Sequence, residues 1–280
     1  MLDLSDGEPM ATSDGQIATD AAVVYEEFFV PALFSEWAPR VADALEPVTD
    51  GRVLDVACGT GVLARELARR WGPARVCGVD CNEGMLAVGR RLAPKVDWRL
   101  ARAEALPFET GQCAAVGSQF GLMFFADRAR ALSEMWRVLA PEGKLAVAVW
   151  GRLEDTPGYL AMVDLLGALF GDRIADELRA PFCLGDSSAL RDLFDEAAIP
   201  DARVDTIQGM ARFPSIEDWV HTDVRGWTLA GLLDDEQYAL LQRRAPDALR
   251  SHVVGDGRVQ FTSPAHIVSA TKAVTDRRDR

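Results

Sequence analysis

The sequence predicts an α/β fold, a mostly parallel sheet with helices on both faces, and three observations carry that prediction. Apolar residues make up 49% of the 280 positions, enough to bury one large core. Between residues 52 and 150, short apolar runs alternate with stretches of helical period. The first apolar run, within "VLDVACGTG", ends in a turn of small residues. Strands separated by helices of this length form βαβ units, and right-handed crossovers place the helices on both faces.

In chain order, Ala21 to Leu45 has a helical pattern broken near Pro31. Tyr25, Phe28 and Phe29 lie on one side, and Phe34 and Trp37 continue the apolar face. "RVLDVAC" reads as a strand and "GVLARELARRW" as the helix after it. "ARVCGVD" is a second strand, and "NEGMLAVGRRLA" a second helix with Asn82 as its N-cap. "VDWRLARAEALPF" holds a short third strand and a loop closed by Pro107. "CAAVGSQFGLMFF" is the fourth strand and its exit. "RARALSEMWRVLAPEGKLAVAVW" is helix, turn and strand, with the turn at Pro141 to Gly143.

After Trp150 the alternation breaks. Residues 153–182 and about 215–250 read as helical insertions. "SALRDLFDEAAI" is a further helix, "ARVDTIQGMARF" one strand, and "GRVQFTSPAHIVSATKA" a last strand. No repeat or linker divides the chain. The organisation is therefore a tail over 1–20, a helical lid over 21–48, a core over 49–152, and the rest of the same domain over 153–280.

The net charge of −13 repels polyanions and argues against a nucleic-acid partner. No apolar run approaches the ~18 residues that cross a bilayer, so no membrane span is expected. The acidic "MLDLSDGEPMATSDGQ" lacks the regions of a signal peptide, which predicts a disordered tail and a cytoplasmic protein. Five cysteines, Cys58, Cys77, Cys81, Cys113 and Cys183, have no metal-ligand spacing and read as small buried residues, with no metal.

The turn after the first strand lies where open parallel sheets bind ligands. Gly59 and Gly61 lack the Cβ that blocks a close approach, and the helix from Val62 aims its N–H groups at the same place. Two ligands suit this pattern. "GTGVLA" with Asp80 after it meets the dinucleotide fingerprint. The second is S-adenosylmethionine, which also has a ribose for Asp80. Asp55 favours the second, because a carboxylate there repels a pyrophosphate and suits an ammonium. A structural aspartate capping the turn is the plain alternative.

"VLDVACGTG", "GVDCNEGML", "AEALPF" and "RVLAPEGKLAVAVW" stand in the order and at the spacing of class I S-adenosylmethionine-dependent methyltransferases. Over residues 50–150 the chain resembles their small-molecule group, which includes the ubiquinone and menaquinone biosynthesis methyltransferases. The resemblance implies a Rossmann-like, mostly parallel seven-stranded sheet with helical lid insertions. It also implies that Asp55, Ala57, Gly59 and Gly61 line the methionine half of the donor and that Asp80 binds the ribose. Cys81 and Met85 flank the adenine, Ala103 and Glu104 meet its edge, and Gln119 and Phe120 sit beside the sulfonium. Tyr25 and Trp37 are expected to touch donor or substrate.

Three residues depart from the family pattern. Ala57 replaces a glycine, Arg102 an aspartate facing the adenine amino group, and Cys113 an aspartate of the fourth strand. Arg102 cannot accept that amino group's hydrogen bond.

The reaction implied is methyl transfer to a small, apolar or aromatic metabolite, an inference drawn from tryptophans such as Trp150, Trp219 and Trp227. His221, on the helical stretch "DWVHTDVRGW", is the candidate base. A nicotinamide-dependent oxidoreductase and a non-catalytic donor-binding protein are the alternatives.

Overall fold

The computed structural model describes residues 19–48, 50–226, 229 and 231–274. The expected tail up to residue 18, Trp227 and the terminal "RRDR" lie outside them. The chain begins with α1 (Thr19–Val24), a π-helical stretch (Tyr25–Phe34) and α2 (Trp37–Ala44). Then come β1 (Arg52–Val56), α3 (Val62–Trp71), β2 (Val76–Asp80), α4 (Glu83–Leu92) and β3 (Asp97–Leu100). β4 (Cys113–Gln119), α5 (Arg128–Val138) and β5 (Leu139–Trp150) complete the alternating part. The remainder is α6 (Pro157–Phe170), α7 (Asp172–Arg179), α8 (Ser187–Glu196), β6 (Arg203–Ile207) and β7 (Met210–Phe213). α9 (Ile216–Gly226), α10 (Asp235–Ala248), β8 (Val259–Thr262) and β9 (Ala265–Thr271) close it.

Seven strands form one sheet in the order β3-β2-β1-β4-β5-β9-β6. β3 through β5 run parallel, and β9 is antiparallel to both β5 and β6. Val53, Leu54 and Val56 of the central β1 are fully buried, as expected where helices cover both faces. The strand order reverses between β1 and β4, which puts the β1–α3 turn at the switch point. Asn82 caps α4 as expected, accepting from the Met85 N–H at 3.2 Å.

Local readings changed at four places. Pro31 does not break the first helical region; it sits inside the π-helical stretch, whose wider turn spares a proline that has no N–H to give. The turn expected at Pro141–Gly143 is a bulge within β5. There Glu142 takes a φ of 64°, and the pairing jumps from Cys113↔Leu139 to Ala115↔Lys144.

The run "ARVDTIQGMARF" is two strands in two sheets, β6 in the large one and β7 paired with β8. Gly209 separates them, and a Cβ there would come within 2.2 Å of the Trp37 ring. The final run also splits, at Pro264, which cannot donate to a ladder.

Candidate functional site

Asp55 is the penultimate residue of β1 and is 1% exposed. Its strand partners are glycines on both sides, Gly78 in β2 and Gly117 in β4. The carboxylate faces the Ala64 N–H in the first turn of α3, yet neither oxygen has a partner at hydrogen-bond geometry. Burial raises its pKa well above the carboxylate range, and the nearby Asp80 raises it further. The Thr60 hydroxyl, Ser118 hydroxyl and Gln119 Oε1 are also buried without partners. Such a cluster is unusual, because buried polar groups are ordinarily paired. It fits a ligand that brings its own donors, an ammonium above all.

The turn itself is built from left-handed residues. Ala57 has φ 55°, Gly59 φ 53° and Gly61 φ 89°. Alanine pays a modest penalty in that region, roughly 1 kcal/mol against glycine. Its methyl is accommodated by Gly121, where a Cβ would stand only 2.6 Å away. At the end of β2, Asp80 accepts from the Gly59 N–H at 2.8 Å and the Asn82 N–H at 2.9 Å, one on each oxygen. Burial raises its pKa, and these N–H groups pull it back down. The Cys81 N–H adds to this, and the carboxylate's four lone-pair sites still leave capacity for a hydroxyl of a ligand.

The π-helical stretch closes over this turn. The Tyr25 ring lies 3.9 Å from where a Gly59 Cβ would be, and it stacks on Phe34 at 5.3 Å between centroids. Burial raises the Tyr25 hydroxyl's pKa, with Asp80, Glu26 and Asp55 adding to the shift. Glu26 accepts from Arg65 at 2.7 Å, and Arg65 also donates to the Thr60 carbonyl at 2.8 Å. The π-helical stretch is thus tied to the first turn of α3. At its other end Gln119 donates to the Phe34 carbonyl at 3.1 Å. Phe120, at φ 57°, stacks on Trp150 at 3.7 Å. Met85 packs beneath α1 with Ala22 and Tyr25.

The structure therefore brings Tyr25, Asp55, Ala57, Gly59, Asp80, Met85, Gln119 and Phe120 together around the β1–α3 turn. Cys81, next to Asp80 in the chain, is exposed, and Ala103 is buried in the core. Cys183 is exposed as well, so the reading of all five cysteines as buried holds for Cys58, Cys77 and Cys113 alone.

Four expected residues have other packing or hydrogen-bond partners. Gly61 makes room for a side chain. A Cβ on Gly61, Gly78 or Gly89 would come within 2.2, 2.6 and 3.0 Å of Trp98, whose indole is cradled by all three. The Glu104 carboxylate accepts from the Ala126 N–H at 3.1 Å and pairs with Arg102 at 3.5 Å, which braces the loop toward α5. Trp37 is fully buried, with its edge on Phe120 and Trp150 and the Arg40 guanidinium 4.5 Å from its face. His221 faces Tyr238 of α10 at 3.3 Å and the edge of Phe28.

Glu26 and Arg65 escaped the sequence reading, as did a second buried polar group. Asp223, on α9, is 1% exposed and accepts from the Tyr159 hydroxyl of α6 at 3.3 Å. Trp219 and Phe261 pack against Tyr159 edge to face.

Residues 53–143 match the protein family described as "Methyltransferase domain". The chain is 44% identical to the demethylmenaquinone methyltransferase of Thermus thermophilus over 115 residues, 40% of this chain and 52% of that one. It is 38% identical over 118 residues to the ubiquinone/menaquinone biosynthesis C-methyltransferase of Geobacter sulfurreducens, 40% of this chain and 46% of that one. The chain thus spans about half the length of the curated relatives it matches. A solved phosphoethanolamine N-methyltransferase 2 from Haemonchus contortus, in complex with S-adenosyl-L-methionine, shares the fold. Its TM-score is 0.59 at 19% identity, covering 92% of this chain and 58% of that one.

Proposed function

We propose that this chain, whose residues 53–143 form a class I methyltransferase domain, transfers a methyl group from S-adenosylmethionine to a small apolar or aromatic acceptor. The single observation that carries the reading is Asp55, a buried carboxylate with both oxygens unpartnered beside a left-handed turn. An ammonium fills that deficit, whereas a pyrophosphate worsens it. S-adenosylmethionine, when bound, supplies a methyl group on a positively charged sulfur.

This chain's residues hold and orient. Asp55 takes the ammonium, and Ala57 and Gly59 offer bare backbone. Asp80, already fixed by two N–H groups, takes the ribose hydroxyls. Met85 and Ala103 border the base, with Cys81 at the rim. Gln119 and Phe120 border the acceptor side. Alignment of this kind is worth ~7–11 kcal/mol of barrier. Tyr25 and the Glu26–Arg65 pair close the lid and keep water out, which favours a step that disperses charge.

Where the acceptor atom must lose a proton, His221 is the base expected from sequence. It keeps Tyr238 as its partner, on the side of α9 opposite Asp223. The charge of −13 supports small molecules and not nucleic acid as partners. No helix among the described residues is long and apolar enough to cross a membrane, and the cytoplasm is the compartment proposed.

The test is incubation with methyl-labelled S-adenosylmethionine and a panel of phenols, quinols and amines. Label transferred to an acceptor is the expected result. A silent panel with the donor tightly bound overturns catalysis and leaves a donor-binding protein.

A further inference from the structure

Trp98 stands on the edge strand β3, yet its indole is fixed at both ends. Nε1 donates to the Ala93 carbonyl at the C-terminal end of α4, at 3.0 Å. The far edge of the six-membered ring fits only because three elements present bare Cα atoms to it. A Cβ on Gly61, the N-cap of α3, would stand 2.2 Å from Cη2. One on Gly78 of β2 would stand 2.6 Å from Cζ3, and one on Gly89 of α4 3.0 Å from both atoms. Glycine inside a strand or a helix costs roughly 0.5–1 kcal/mol against alanine, and Gly78 and Gly89 both stand in such interiors. Alanines around a smaller ring would fill this space without that cost.

The ring lies beneath the glycine turn. Trp98 is the strand partner of Gly78, and Asp80 follows Gly78 by two residues, so all three share one face of the sheet. Asp80 holds the Gly59 N–H at 2.8 Å. The Gly61 N–H closes the turn on the Cys58 carbonyl, also at 2.8 Å. Gly59 and Gly61 are both left-handed, at φ 53° and 89°. A turn this short moves as one piece, so the contact that places Gly61 also sets where the Gly59 N–H points.

We propose that Trp98 is a positioning residue for the donor. Its ring edge props Gly61 and thereby keeps the Gly59 N–H on Asp80 and the backbone of the turn in the shape the donor meets. The assignment rests on the methyltransferase reading above and adds to it a residue that acts through the turn. The length of the side chain is what matters, because Cη2 is the atom that reaches Gly61. Phenylalanine keeps an aromatic ring but falls short of that point, and leucine removes the plate altogether.

The test is calorimetric titration of S-adenosylhomocysteine into the full chain and its variants, each held well below its own thermal midpoint. Trp98→Phe is expected to weaken binding about tenfold, a part of one charge-assisted hydrogen bond, and Trp98→Leu more. Gly61→Ala, which drives a methyl onto the ring, is expected to weaken it by a similar factor. The double variant Gly61→Ala/Trp98→Phe separates positioning from mere packing. The shorter ring leaves room for the methyl, and Ala57 shows that this turn accepts a left-handed alanine. The double variant is therefore expected to bind at least threefold tighter than Gly61→Ala alone. Affinity within twofold of wild type in both Trp98 variants, whatever their loss of stability, or a double variant no tighter than Gly61→Ala, overturns the proposal. If Trp98→Leu or Gly61→Ala fails to fold, Trp98→Phe decides alone. S-adenosylhomocysteine that does not bind the wild type overturns the methyltransferase reading, and this proposal with it.

Discussion

The polar groups around the glycine turn and the Tyr159–Asp223 pair behind α9 are both buried and both include atoms short of hydrogen-bond partners. They are built in opposite ways. The first set comes from strand ends and one turn, Asp55, Gly59 and Asp80, all within one βαβ unit. The second, with the rings packed on it, draws on α6, β7, α9 and β8, elements spread over a hundred residues of chain. Backbone fixes the first and side-chain packing fixes the second.

The sharpest way to break this contrast is Asp55→Asn. It removes the charge proposed to hold the ammonium, and donor affinity is expected to fall about 100-fold, the scale of a buried charge-assisted bond. Stability should move the other way. A carboxylate whose folded pKa is raised binds more protons folded than unfolded, so wild-type stability declines as pH rises from about 4 toward the folded pKa. Asn at this position removes that decline. A pH series of thermal midpoints should show the variant above the wild type at neutral pH; a variant that melts lower makes Asp55 a structural cap.

Gly61→Ala tests whether the third small residue of the turn serves the fold or the ligand. The added methyl meets Trp98 in a left-handed residue, and a loss of about 2–4 kcal/mol in urea unfolding is expected. Normal stability with weakened donor binding would return Gly61 to the ligand. Tyr25→Ala opens the lid but leaves Asp55 and Asp80 in place. Faster release of S-adenosylhomocysteine, about tenfold by stopped flow, is the expected result, since contact losses act mainly on dissociation. The smallest effect belongs to His221→Ala. With the imidazole held by Tyr238, turnover should change less than threefold, and a loss beyond tenfold would make it the base after all.

The geometry of the β1–α3 turn was legible because its constraints are local. A buried strand, an aspartate, a left-handed turn and a capped helix follow one another within residues 53–85, and each has a residue signature. What local patterns missed depends on contacts between distant segments. Nothing near Gly61 announces Trp98, 37 residues later, and nothing near Glu26 announces Arg65. The split strands were marked by Gly209 and Pro264, breakers that a reading of strand length alone passes over.

Asp223 also had a signal. Ile216, Trp219, Val220, Asp223 and Val224 keep one helical period, so the acid falls on the apolar stripe of α9. His221 drew attention by residue type while lying off that stripe. A charge on an apolar stripe is a more physical pointer than an imidazole on a polar one.

The most direct test of the central claim is calorimetric titration of S-adenosylhomocysteine and NADH into the wild type and into Asp80→Ala. The account predicts one S-adenosylhomocysteine bound per chain with a Kd on the order of micromolar, no NADH bound, and at least a hundredfold loss in the variant, about the worth of two charge-assisted hydrogen bonds. Heat from NADH in place of the nucleoside, or an affinity indifferent to Asp80, would contradict it.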